Sequence, residues 1–224
     1  MAHQVALRWV FGLVLAGLVL AGAHGAWAVA RGVAGEGDLA FTITRNGAPI
    51  GSHVYRFDRQ GRRVVVDIHT DIDFRLFWIP VYRFRHDSRE IWDGDRLVRL
   101  VSRTDDNGDP VVLDVRTDGG VLKIGGAGGS AEVDPLAVPA SLWNPVVVER
   151  DRLLDTINGA VLMPKSSYLG QEVLTIGGKQ VTARRYRLSG DYSRDLWYDA
   201  ADGSLVRVLF EARDGSAVEY VRRN

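Results

Sequence analysis

The chain has 224 residues, 46% of them hydrophobic and 25% charged, with 28 basic against 28 acidic side chains. This is ordinary globular composition, neither disordered nor collagen-like, and the balanced charge gives no electrostatic case for a nucleic-acid partner or an anionic surface. The absence of cysteine excludes a disulfide framework, a thiolate zinc site, an iron–sulfur cluster, a cysteine nucleophile and a lipid-modified N-terminal cysteine.

Residues 1–28 have the form of a signal peptide. Arg8 supplies the positive start, Trp9 to Ala23 is uncharged, and Ala26-Trp27-Ala28 fits a small-x-small cleavage site. The uncharged run is shorter than the ~20 residues of a membrane-spanning helix. Cleavage after Ala23 is the alternative site, and an uncleaved N-terminal anchor the alternative fate. A single arginine is no twin-arginine signal, so general export is expected. No Asn-x-Ser/Thr acceptor occurs, and with no cysteine the expected destination is a bacterial periplasm. There the chain is expected to be soluble, with no integral span after cleavage, and residues 29–224 to form a single β-rich domain.

Beyond the leader the hydrophobic period is two. Leu39, Phe41 and Ile43 alternate with Ala40, Thr42 and Thr44. Val64, Val66, Ile68, Ile72, Phe74 and Leu76 alternate with Asp67, His69, Asp71, Asp73 and Arg75. Val111, Leu113 and Val115 alternate with Asp114 and Arg116, and Leu205–Phe210 with Ala217–Val221 form a closing hairpin. Such alternation puts one sheet face on a core and the other in water. Asn46-Gly47, Asp93-Gly94, Asn107-Gly108, Asn158-Gly159, Asp202-Gly203 and Asp214-Gly215 mark tight turns at mostly hairpin-sized spacing. The expected fold is all-β, mainly antiparallel, a curved sheet or half-barrel with a short helical plug. The plug is placed at Val138–Leu154, where Pro139 and Pro145 break the alternation around Leu142, Trp143, Val146 and Val147.

Phe77-Trp78-Ile79-Pro80 is wholly apolar where a polar turn is expected. The expectation is burial under the Trp143 plug; the alternative is an exposed tip touching a membrane or partner.

Several phrases carry a family resemblance: Tyr82-Arg-Phe-Arg-His86, Glu90-Ile-Trp92, Ser102-Arg-Thr-Asp-Asp-Asn-Gly108, Ser141-Leu-Trp-Asn-Pro145, Leu154-Asp-Thr-Ile-Asn-Gly159, Tyr186-Arg-Leu-Ser-Gly-Asp191 and Leu196-Trp-Tyr-Asp199. Together, from roughly Asp38 to Val221, they resemble an uncharacterised family of exported bacterial proteins, domain-of-unknown-function family 6134. The resemblance implies no activity, substrate or site. The C-terminal part is also similar to periplasmic half-barrels of the lipoprotein-carrier type, which implies a curved sheet around an apolar cavity closed by helical plugs.

Candidate chemistry is sparse. His69-x-Asp71 with His86 downstream has the composition of a two-histidine, one-carboxylate metal site. A turn centred near Ile79-Pro80 instead sets His86 against Ile72 on the apolar face, with Tyr82, Phe84, Phe74 and Leu76. His69, Asp71, Asp73, Arg83, Arg85 and Asp87 then share the outer face as a solvated, salt-bridged surface; a one-residue slip would reverse this. Asp105-x-Asn107-x-Asp109 begins like a calcium loop, but Pro110 and Arg116 stand where glycine and glutamate belong, so a hairpin turn is expected. Gly-x-Ser-x-Gly, His-Glu-x-x-His and Ser-x-x-Lys are absent, and Asp87 with Glu90 as an acid/base pair is weaker than a surface reading. No metal, cofactor or catalytic residue is assigned. The aromatic residues are the main signal. Tyr82, Phe84, His86, Trp92 and Trp143 are the candidate lining of a cleft for an apolar or lipid-like ligand. The alternatives are a structural or adaptor envelope protein with a protein partner and, third, an enzyme.

Overall fold

A computed structural model describes residues 37–126, 129–134 and 136–223. The signal peptide expected at residues 1–28 lies outside the described residues. Thirteen strands form one antiparallel sheet: β1 (Leu39–Arg45), β2 (Ala48–Gln60), β3 (Arg63–Leu76), β4 (Ile79–Asp93), β5 (Arg96–Asp106), β6 (Asp109–Asp118), β7 (Val121–Gly126), β8 (Gly129–Val133), and, after an excursion, β12 (Lys165–Ile176), β13 (Lys179–Ser189), β14 (Arg194–Asp199), β15 (Leu205–Glu211) and β16 (Ala217–Arg222). The excursion contributes three two-residue strands, β9 (Val138–Pro139), β10 (Leu153–Leu154) and β11 (Val161–Leu162), which pair as a separate small sheet.

The sheet runs β12-β13-β14-β15-β16-β1-β2 and on to β8, so it is two meanders joined where β16 pairs with β1, Ile43 opposite Tyr220. β12 and β8 end the order, and the sheet stays open. The all-β reading and the plug therefore hold. The plug segment contains little helix, a single 3₁₀ turn at Pro145–Val148 capped by Asn144, whose Oδ1 accepts from the Val146 amide at 3.0 Å. Pro145 at its start fits, because that position has no amide to satisfy within the turn.

Period-two alternation works as expected. Val66, Ile68, Thr70 and Ile72 of β3 are buried, whereas Asp67 and Asp71 on the outer face pair with Arg89 and Arg85 of β4. These exposed pairs each contribute little stability. His69 meets Asp87 on the same face, Nδ1 to Oδ1 at 2.6 Å. His86 is buried on the inner face and stands opposite Thr70. The parity expected for His86 is correct, but the register differs by two residues. Leu76 pairs with Ile79, so Phe77 and Trp78 are the turn, and a bulge follows at Phe74/Arg75. A two-residue offset leaves every side chain on its own face, which is why parity survived.

The burial expected for Phe77-Trp78-Ile79-Pro80 is overturned. Phe77 is 85% and Trp78 93% exposed. The plug bends toward the far end of β4 instead, where Trp143 packs edge-on against Trp92, with ring centroids 5.7 Å apart.

Asn107 and Gly108 turn between β5 and β6 with φ of 60° and 100°, the left-handed pair that matches strand twist. Nothing surrounds the position a Gly108 side chain would take, so only the backbone penalises substitution. Gly108→Val is expected to cost ~1–3 kcal/mol, read as a lowered melting temperature; an unchanged melt would mean that the turn relaxes freely.

Candidate functional site

The excursion from residue 134 to 164 crosses the inner face of the sheet as a strap. Three tyrosines on the sheet side catch three consecutive strap carbonyls: Tyr192 donates to the oxygen of Ala140, Tyr55 to that of Ser141 and Tyr198 to that of Leu142. Leu142 takes a φ of 69°, a conformation branched and bulky residues seldom adopt, and these bonds hold it there. Beyond it, Trp143 and Trp92 both donate their indole N–H to Glu90 Oε2 at 2.9 Å. Glu90 is fully buried. Burial pushes its carboxyl above the usual glutamate range, against the hydrogen bonds from Trp143, Trp92 and Ser141. Further along, Ser102 donates to the Thr156 carbonyl, and Gly159 lies so close that a Cβ there would meet Ile124 Cγ2 at 2.9 Å.

The strap fills one end of the concave face and leaves the other partly empty. A cavity of about 380 Å³ remains between it and the sheet, walled by His53, Tyr55, Phe84 and His86 from β2 and β4, Phe210 and Tyr220 from β15 and β16, and Ser141, Thr156 and Ile157 of the strap. Its rim carries Asp155, Asp191 and Arg194. Asp155 accepts from the amide of Ile157 and Asp191 from that of Met163, so both carboxylates are occupied in shaping the strap. The Arg194 guanidinium lies over the Tyr192 ring, 3.4 Å from its centroid.

Both histidines of the wall are oriented by hydroxyls. His53 Nδ1 lies 2.7 Å from Thr70 Oγ1, and His86 Nδ1 lies 2.8 Å from Thr104 Oγ1. Burial, helped by the neighbouring His86 and His69, pulls His53 down to about 3, and burial lowers His86 too, against Asp87 and Asp155. Near neutral pH the wall is therefore uncharged imidazole, phenol and phenyl. Rings held neutral by burial and oriented by threonine suit binding better than proton transfer, which needs a pKa near the working pH. A larger depression, about 500 Å³, lies on the outer face among Asp67, Arg89, His69 and Asp87. It is edged by the Asp67–Arg89 and His69–Asp87 pairs and, unlike the cavity, has no strap across it.

The five residues nominated from sequence fall into two places. Phe84 and His86 line the cavity, and Tyr82 stacks on Phe84 with ring centroids 6.4 Å apart. Trp92 and Trp143 lie in the filled end around Glu90. The residues missed are His53, Tyr192, Arg194, Phe210 and Tyr220. His53 and Tyr55 share the inner parity of β2, a legible signal. The others required knowing that β16 pairs with β1, which brings β14, β15 and β16 beside β2.

A family model described as "Domain of unknown function (DUF6134)" matches residues 41–223. Among solved structures, a β-barrel-like protein of the domain of unknown function DUF1849 from Brucella abortus is similar in fold, with a TM-score of 0.59 at 12% identity, covering 83% of this chain and 96% of that chain. A DUF1089-family protein from Pseudomonas aeruginosa scores 0.29 at 15% identity over 74% of this chain and 86% of that one, too low to support an argument. No curated protein matches the chain.

Proposed function

The chain belongs to the DUF6134 family, described as a domain of unknown function, and on that footing we propose that it is an exported envelope protein that binds an apolar or amphipathic ligand in the strapped cavity of its open sheet. The observation that carries this reading is the cavity itself. About 380 Å³ of aromatic-walled space persists beside a core that is otherwise filled, and close packing is what a purely structural sheet would achieve. A volume of this size lies within the range of small-molecule sites. The periplasmic address rests on the sequence of residues 1–28, and among the described residues no helix is long and apolar enough to cross a membrane.

Protein recovered from its native envelope is expected to carry a small apolar molecule visible by native mass spectrometry, and, once stripped of it, to bind a fluorescent fatty-acid probe. Phe84→Glu places a charge on the half-buried part of the wall. It should weaken probe binding at least tenfold, about 1.4 kcal/mol, while the protein stays folded. Equal probe affinity in the variant would remove the cavity from the function.

A further inference from the structure

The β3–β4 hairpin outruns its neighbours. β2 stops pairing with β3 at Gly51 opposite Ile72, and β5 reaches β4 only as far as Asp106 opposite Phe84. From Asp73 to Arg83 the hairpin continues as a two-stranded ribbon with which neither β2 nor β5 pairs, although Asn107 of the β5–β6 turn still bonds the Arg83 backbone and Arg45 at the end of β1 lies over the Phe74 ring. At ~3.3 Å per residue its turn lies roughly 15 Å beyond the last rungs that pair with β2 and β5. Pro80 is accommodated because no third strand asks for its missing amide hydrogen.

The ribbon ends in apolar surface. Phe77 and Trp78 are almost wholly exposed, Ile79 is 68% exposed, and Leu76 and Val81 are exposed beside them. Phe77 and Trp78 also adopt φ of 51° and 83°. Two other turns at this end of the sheet use the same left-handed pair, and there the chain places Asn46-Gly47 and Asn107-Gly108, the residues that take it without strain. At the β3–β4 turn it places two aromatic rings in water and in strain together. Neither choice serves folding, and strain retained at an exposed site points to function.

We propose that this turn is a membrane anchor that inserts Phe77, Trp78 and Ile79 into the interface of a lipid surface. A convex tip of single-residue width suits a fluid interface better than a complementary protein face, and an indole combines an apolar body with a polar N–H at headgroup depth. Arg75 is paired with Asp73, and Arg83 lies beside the acidic β5–β6 turn, so the contact offered is apolar rather than electrostatic. Behind the tip the rings of Tyr82, Phe84 and His86 stack in a column along the inner face of β4, with centroids 6.4 and 6.2 Å apart. That column ends in the cavity wall, so insertion turns this end of the sheet toward the lipid. The anchor goes beyond the ligand-binding reading and is read independently of it.

The chain contains no cysteine, so an introduced one takes a label alone. Ile79→Cys carrying an environment-sensitive fluorophore is mixed with vesicles of phosphatidylethanolamine and phosphatidylglycerol. A several-fold rise in blue-shifted emission is expected, with none from Asp95→Cys in the turn at the opposite end of β4. Placing Ile79→Cys in a Phe77→Asn/Trp78→Gly background keeps the hairpin turn, so the variant should stay folded and lose the rise at least tenfold. Equal responses at the two labelled positions, an unchanged response in the Asn-Gly background, or emission that rises with protein concentration without vesicles would each overturn the anchor, the last in favour of a second copy of the chain. Probe binding in solution by the Asn-Gly variant should match the parent, which separates failure of the anchor from failure of the cavity reading.

Discussion

Trp143→Ala should destabilise the protein by ~3–5 kcal/mol, the range found when a large buried aromatic is truncated. Trp143 is 2% exposed and sits edge-on against both Trp92 and Phe57, with ring centroids 5.7 and 5.6 Å away. Its indole is one of the two indole donors to the buried Glu90 carboxyl. The truncation therefore opens a cavity and strips a hydrogen bond from a group that burial already penalises. For a chain of this size each kcal/mol moves the melting temperature by ~2–4 °C, so a fall of roughly 10 °C is expected in a thermal melt. Trp143→Phe, which keeps most of the ring but loses the N–H, should fall between. A melt unchanged by Trp143→Ala would mean that the strap is not keyed into the sheet at this point.

Acid should expose the cavity histidines. An unfolded chain protonates His53 below its ordinary value of 6.5, while the folded chain holds the ring neutral down to about 3. Stability present above pH 6.5 is therefore lost as the pH falls through that window, by up to ~1.4 kcal/mol per unit and ~4–5 kcal/mol in full. His86 contributes in the same direction for the same reason, burial. Glu90 opposes them. Its folded carboxyl titrates above the ordinary 4.5, so its contribution is complete below pH 4.5 and lost as the pH rises toward the folded value. From pH 4.5 up toward that folded value the two slopes have opposite signs. Glu90→Gln keeps an acceptor for the two indoles and removes the opposing slope. Urea titrations at successive pH values should show the variant losing stability more steeply than the parent from pH 6.5 to 4.5. Parallel curves would mean that Glu90 titrates in the folded protein as it does in the unfolded chain.

Much of this architecture was legible locally. Alternation along Val64–Ile72 and Tyr82–Asp87 assigned inner and outer faces correctly, because side-chain direction in a strand depends only on parity; the surface reading of Glu90 is overturned, since its parity is that of Trp92 and it lies fully buried. Asn107-Gly108 announced its left-handed turn for an equally local reason. Phe77-Trp78 hid one, since neither residue is a turn former, and the turn was read two residues late. Their exposure was misjudged as well. Burial was the better expectation for an apolar run, and only the tertiary structure revealed that pairing with β2 and β5 stops short of it.

The candidate site divided along the same line. Tyr82, Phe84 and His86 were grouped from spacing alone, whereas the partners of Phe84 and His86 across the cavity come from residues 192–220, far along the chain. The amino-acid sequence by itself determined the strand periods, most turns, the break at Val138–Leu154 and the inner face of each strand. These follow from interactions between residues close in sequence. The tertiary structure alone decided that β16 joins β1 and that Glu90 becomes the shared acceptor of Trp92 and Trp143. It also decided that the strap stops short of filling the sheet. Those outcomes depend on which distant surfaces meet and on how much space remains between them, and the closure of a long loop leaves no periodic trace in the residues that it brings together.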